Sequence, residues 1–68
     1  MTRNEIEHKI VDFARKKQDW FVYTQVERWL DWQVDVTELW EILNDLVQHK
    51  FLKQTYKQWG VPQFRATP

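Results

Sequence analysis

Residues 35–52 read DVTELWEILNDLVQHKFL, and this stretch carries the strongest periodic signal in the chain. Asp35 and Glu38 stand three apart, which is the spacing of a helix capping box with Asp as the cap. Behind them, apolar residues recur at helical spacing and form a broad stripe: Val36, Leu39, Ile42, Leu43, Leu46 and Val47. The pattern predicts a long helix that begins after Asp35 and ends near Lys50.

A first helix is predicted over residues Glu5–Lys17, because apolar residues again recur at spacings of three and four. Thr2 or Asn4 is expected to cap its start. Its last turn is basic, which suits the negative end of the helix dipole. The residues that share its apolar face are Ile6, Ile10 and Phe13, with Ala14 beside them.

Between these two helices the sequence predicts a brief strand and a short helix. The run Trp20–Tyr23 is aromatic and β-branched, which is typical of a strand. Thr24 then has the position of a helix cap, and Gln25–Trp32 is expected to be helical. Gln33 and Val34 link it to the long helix. Its apolar face holds Val26, Trp29 and Leu30, and Trp29 is expected to lie in the core.

After the long helix the period changes to two. Phe51–Lys57 alternates as a strand does, Trp59–Gly60 marks a turn, and Gln63–Thr67 can return as a second strand with Phe64 and Ala66 facing inward. Pro62 has no N–H donor and so belongs at a strand start or an open edge. The expected fold class is therefore α+β: three helices, a short strand and a C-terminal two-stranded β-hairpin, in a single domain over residues 1–68.

Composition excludes several kinds of chemistry. The 68 residues include no Cys and no Ser, and only one Gly, so there is no disulfide, thiolate nucleophile or glycine-rich phosphate loop. His8 and His49 are the only histidines, which is too few for a convincing metal site. We expect no catalytic residue, no metal and no cofactor. No apolar run approaches the length of a signal core or a membrane span, so we expect a cytoplasmic protein that does not bind membranes.

The order helix, short strand, helix, longer helix, hairpin resembles the winged helix-turn-helix family. The residues that carry the resemblance are the leucines of the long helix, Leu39, Leu43 and Leu46, then His49–Leu52, then Phe64–Thr67. Lys50 stands where relatives often have glycine. The resemblance implies a winged-helix fold with the long helix in the place of the recognition helix and the hairpin as the wing. It also implies a binding role, because that scaffold serves both DNA binders and protein-docking modules.

A narrower resemblance is to the small D protein associated with dissimilatory sulfite reductase. It lies in Lys9–Phe13, in Phe21–Tyr23 and in the long helix. That family is a stand-alone winged helix, and the resemblance implies a regulatory role towards an enzyme.

The outward face of the long helix is acidic. With the leucines inward, helix geometry turns outward Thr37, Glu38, Glu41, Asn44, Asp45 and Gln48, three of which are acids and none a base. Insertion of this face into a DNA groove would bring carboxylates towards phosphates, which disfavours the usual mode of binding. The expected protein-binding site is this face with its flanking tryptophans: Trp32, Thr37, Trp40, Glu41, Asn44, Asp45 and Gln48. Completion of a small core is the other interpretation of these tryptophans.

The charge is unevenly distributed, although the net charge is zero. Residues 1–45 hold six basic and ten acidic side chains, whereas residues 46–68 hold four basic and no acidic ones. The predicted hairpin therefore offers a second, nucleic-acid-binding candidate site on Lys53, Lys57, Trp59 and Arg65. A charged edge that prevents strand-to-strand aggregation would look the same in the sequence.

We therefore predict a non-catalytic winged-helix binding module. Regulatory contact with a protein partner through the acidic face is the favoured hypothesis, and the alternative is a DNA- or RNA-binding regulator that contacts the backbone through its basic wing. A homodimer is left open, since small winged helices often pair but no heptad specifies a dimer here.

Overall fold

The computed structural model describes residues 2–56 and 60–67. Its two strands pair antiparallel in one sheet. The expected mixed α+β class, with three helices followed by two strands, is confirmed. In chain order the elements are α1 (Arg3–Lys17), α2 (Tyr23–Trp29), α3 (Val36–Gln48), β1 (Leu52–Tyr56) and β2 (Pro62–Ala66).

Helix α1 is capped by Thr2, one of the two predicted candidates. The Thr2 hydroxyl oxygen accepts a hydrogen bond from the backbone N–H of Glu5 at 3.2 Å. The helix consequently begins at Arg3, two residues before the predicted start. It ends at Lys17 as predicted, and Gln18 follows in the left-handed region with φ 54°.

The predicted strand Trp20–Tyr23 is reduced to one bridge. Phe21 pairs with Phe64 of β2, each backbone N–H donating to the other's carbonyl at 2.8 Å. The strand goes no further because the Val22 backbone N–H donates to the side-chain oxygen of Gln25 at 3.0 Å, which starts α2 at Tyr23. The prediction that Thr24 caps this helix is therefore wrong, since Thr24 lies inside it.

Helix α2 ends at Trp29, three residues before the predicted end at Trp32. The next turn is a Schellman motif, in which the backbone N–H of Trp32 donates to the carbonyl of Glu27 at 2.9 Å and that of Asp31 to Arg28 at 3.1 Å. Asp31 and Trp32 take φ values of 57° and 59°. A right-handed helix cannot continue through left-handed residues, so the chain turns here towards α3.

Helix α3 begins where the sequence predicts. The Asp35 carboxylate accepts a hydrogen bond from the backbone N–H of Thr37 at 3.1 Å. The helix ends at Gln48 rather than near Lys50, in a second Schellman motif: the Phe51 N–H donates to the Leu46 carbonyl at 2.9 Å, and the Lys50 N–H to that of Val47 at 3.1 Å. Lys50 takes φ 68° at this turn.

Each strand begins one residue away from its predicted start. β1 begins at Leu52, after the exposed Phe51, and the predicted end at Lys57 lies outside the described residues. β2 runs from Pro62 to Ala66, one residue earlier than predicted, and Pro62 occupies the first strand position that its missing N–H allows. The pairing sets Leu52 opposite Ala66 and Tyr56 opposite Pro62.

One hydrophobic core draws on every helix and both strands. Four of the six residues of the predicted inward stripe of α3 are buried: Leu39, Ile42, Leu43 and Leu46. Val47 is half-buried, and the prediction for Val36 is wrong, since this first residue of α3 is exposed. Phe64 is fully buried as expected. Within the described ranges, no helix combines the length and the apolar character needed to cross a bilayer. The fully buried large side chains are Phe21, Phe64, Ile10, Leu39, Ile42, Leu43, Leu52 and Val26.

Candidate functional site

The outward face of α3 carries the side chains predicted for it. Thr37, Glu41, Asn44 and Gln48 are exposed, and Asp45 and Glu38 are half-buried. This arrangement follows from the helical period, because the buried stripe fixes which positions point to solvent.

Arg3 of α1 reaches across to this face, which the sequence did not predict. Its guanidinium forms a hydrogen-bonded ion pair with Asp45 and lies 3.8 Å from the Glu41 carboxylate. It also lies 3.5 Å from Glu7, one turn further along α1. One cation is thus shared among three carboxylates, so the face is partly neutralised but stays acidic.

The tryptophans do not gather on the acidic face. Trp40 is half-buried, with its ring 4.9 Å from the Tyr23 ring and 6.1 Å from that of Phe64. Trp32 is 61% exposed in the turn after α2. Trp40 thus packs at the core margin, whereas Trp32 is exposed in the turn that precedes α3. Trp59 lies outside the described residues.

The prediction that Trp29 lies in the core is wrong. Its side chain is 47% exposed, and its ring packs at 5.5 Å on that of Phe13. The ammonium of Lys16 lies over the indole at 5.9 Å from the ring centre, a cation–π distance. Because α2 ends at Trp29, this side chain covers the edge of the core instead of entering it.

The sheet and the C-terminal half of α1 enclose a basic groove, which we call the α1–sheet groove. Its volume is about 650 Å³. It exists because two small residues, the buried Ala14 and the half-buried Ala66, leave space between helix and strand. The lining residues are Ala14, Arg15, Gln18, Trp20, Lys53, Arg65, Ala66 and Thr67.

Three of the lining residues are cations and none is an acid. Lys53 and Arg65 face each other directly in the strand register, and both are exposed, as is Arg15. Across residues 2–56 and 60–67, no carboxylate comes within salt-bridge distance of any of the three. The groove thus concentrates positive charge that no described side chain pairs with.

Thr67 fixes the open end of this groove. Its hydroxyl donates to the carbonyl of Lys50 at 2.8 Å and lies 3.2 Å from that of Phe51. The residue after β2 is thereby tied to the turn that ends α3, which holds the C-terminal end of the strand that carries Arg65.

The structure brings together part of the predicted wing site and adds to it. Lys53 and Arg65 lie side by side as expected, whereas Lys57 and Trp59 fall outside the described residues. The other six lining residues were not predicted as site residues, and Arg15 and Trp20 are the charged and aromatic ones among them. A sequence offers no signal that the end of a helix will pack beside a strand far along the chain.

A second groove, of about 340 Å³, separates α1 from the C-terminal end of α3. Its apolar lining comes from Val11, Leu46 and Phe51, and its rim mixes acids, Arg15 and His8. Among the described residues, no group of three or more His, Asp or Glu side chains is placed to hold a metal ion. His49 instead ends α3, with Nδ1 2.8 Å from the Asp45 carbonyl.

Comparisons with protein families, with curated proteins and with solved structures found no match for this chain.

Proposed function

We propose that this chain is a non-catalytic winged-helix module that binds nucleic acid through the basic face of its sheet. Lys53 and Arg65 would contact backbone phosphates. The order of three helices and two antiparallel strands supports the winged-helix assignment, as does the tight turn that leads from α3 directly into β1.

The observation that carries the proposal is the pairing of two cations without a counter-ion. Like charges that lie directly opposite each other in an antiparallel sheet destabilise it. Lys53 and Arg65 hold such positions, and no described acid approaches either of them. A phosphate between them would remove the repulsion, so ligand binding would stabilise this arrangement.

Recognition through the sheet also fits the charge of α3. Glu38, Glu41 and Asp45 lie on the face that would enter a DNA groove, and Arg3 compensates only part of their charge. Affinity for nucleic acid comes largely from cations placed on phosphates. The basic side of the molecule is therefore the side that nucleic acid would approach.

A protein partner is the second candidate, and one observation favours it. Trp32 is 61% exposed in the turn that leads to α3, and exposed tryptophans are enriched at binding hot spots. The inward packing of Trp40 and the ion pairs of Arg3 leave this face fewer groups for a partner than the sequence predicts.

The test is binding of a labelled mixed-sequence duplex at about 50 and 200 mM salt, by fluorescence anisotropy. The variant is Lys53→Gln/Arg65→Gln, and the matched control is Lys9→Gln/Arg28→Gln, which removes the same residue types from exposed positions outside the α1–sheet groove. Two phosphate contacts lower affinity roughly 12-fold over this salt range. We expect the wing variant to lose this sensitivity and the control to keep it.

Equal behaviour of the wing variant and the control would contradict the proposal. Absence of binding to duplex and to single strands even at 50 mM salt would also contradict it, and would leave the protein partner as the function to pursue. Circular dichroism of each variant verifies that the comparison is made between folded proteins.

A further inference from the structure

The α1–sheet groove is larger than a contact between strand cations and phosphates requires. Besides Lys53 and Arg65 on the sheet, its lining includes Arg15 of α1 and the indole of Trp20. Gln18 and Thr67 contribute polar groups. A concave site of several hundred Å³ with aromatic and polar lining has the dimensions of a pocket for a small organic group, such as a nucleotide.

We infer that this groove binds a single-stranded segment of nucleic acid, with Arg15, Lys53 and Arg65 on its phosphates and Trp20 against a base. The inference rests on the proposed nucleic-acid function and specifies the form of the ligand. Nucleic acid then lies between α1 and the sheet, on the side of the molecule that does not include the acidic face of α3.

The position of Trp20 in the groove favours a single strand over a duplex as the ligand. In a duplex each base is paired and stacked, and its extrusion costs a few kcal/mol before it can meet a side chain. A single strand offers its bases freely, and an indole stacks on any of them. Trp20 is half-buried and lines the groove, so a base has to enter the groove to stack on its indole.

Three separate parts of the chain supply the cations of the groove. Arg15 belongs to α1, Lys53 to β1 and Arg65 to β2. A single strand that lies along the groove would pass all three, because its backbone bends more readily than that of a duplex. Sequence-tolerant single-strand proteins combine these two elements, a positive groove and an aromatic wall.

The first test compares Arg15→Gln with Lys9→Gln on a labelled oligothymidine. Both changes remove one positive charge from an exposed position of α1, but only Arg15 lines the groove. Each phosphate contact contributes about 0.7 to the slope of log affinity against log salt for single strands. We expect Arg15→Gln to reduce the slope by about that amount and Lys9→Gln to leave it unchanged.

The second test probes stacking. Trp20→Leu is expected to weaken oligothymidine binding by about 5-fold or more, and Trp20→Phe to restore most of it, because a phenyl ring also stacks. Binding of a duplex of the same length should change little in either variant. If Trp20→Leu does not fold, the Phe variant and the Arg15 comparison still decide the outcome.

Failure of this inference differs from failure of the proposed function. If Arg15→Gln equals Lys9→Gln while Lys53→Gln/Arg65→Gln still loses binding, the wing binds nucleic acid and the groove does not. A preference of the wild type for duplex over oligothymidine would overturn the inference in the same way. If the wild type binds neither oligothymidine nor duplex, both proposals are overturned.

Discussion

Lys50 holds a conformation that suits glycine. At φ 68° it occupies the position of the Schellman motif after α3 where a side chain strains the backbone. We predict that Lys50→Gly raises the free energy of unfolding by about 0.5–1 kcal/mol, because relief of the strain exceeds the entropy that glycine adds to the unfolded chain. Urea denaturation followed by circular dichroism measures the change.

The control for this residue is Lys50→Ala. Alanine removes the charge but keeps the strain, so it should not stabilise the protein. A glycine variant less stable than the wild type would show that the ammonium or the stem of Lys50 contributes more than its backbone strain costs.

At the scale of elements, the start of α3 depends on one side chain. The Asp35 carboxylate accepts from the Thr37 N–H and satisfies a donor that the helix itself cannot. We predict that Asp35→Ala lowers the free energy of unfolding by about 1 kcal/mol, whereas Asp35→Asn, which caps equally well, changes it little. Thermal unfolding of the two variants side by side tests this prediction. Equal losses of stability in both variants would attribute the effect to the charge of Asp35 and not to its hydrogen bond.

Two of the helix caps were predictable from sequence, but the bounds of the elements were less so: α1 begins two residues before its predicted start, although it ends at Lys17 as predicted. Asp35 and Thr2 are recognisable caps, and both cap their helices, although the Asp35 carboxylate accepts from the Thr37 N–H instead of the Glu38 N–H that a capping box predicts. All three helices end with a left-handed residue, yet these residues are Gln18, Asp31 and Lys50, so the glycine that usually signals a helix end is missing. The predicted start of α2 was wrong for a related reason. The Val22 backbone N–H, just before the helix, donates to the side chain of Gln25 inside the helix, and Val22 itself supplies no side-chain cap.

At the scale of the whole molecule, periodicity predicted most of the core and the acidic face of α3, but not the α1–sheet groove. Most of the apolar stripe residues of α1 and α3 are buried because a helix can hide only one face. The groove depends on Arg15 and Arg65 lining the same cavity, and the partial neutralisation of the acidic face depends on the ion pair of Arg3 with Asp45, across separations of 50 and 42 positions. No local pattern encodes such meetings, because they follow from how the packed elements are oriented.

The same packing makes Phe64 the residue on which the sheet depends. It is fully buried, bridges Phe21 through two backbone hydrogen bonds, and its ring lies 6.1 Å from those of both Phe21 and Trp40. We predict that Phe64→Ala lowers the free energy of unfolding by about 3–5 kcal/mol. A domain of this length has a total of roughly 3–10 kcal/mol, so the substitution removes from about a third to all of its stability.

Phe64→Leu is the matched variant, since it keeps most of the apolar volume and should cost less than half as much as alanine. Urea titrations followed by near-ultraviolet circular dichroism report on the aromatic core, and nucleic-acid binding of the same samples reports on the groove. If docking of β2 by Phe64 positions Arg65, binding and core signal should fall together in Phe64→Ala. Binding that survives loss of the core signal would mean that the cations act as a flexible basic segment, without need of the groove.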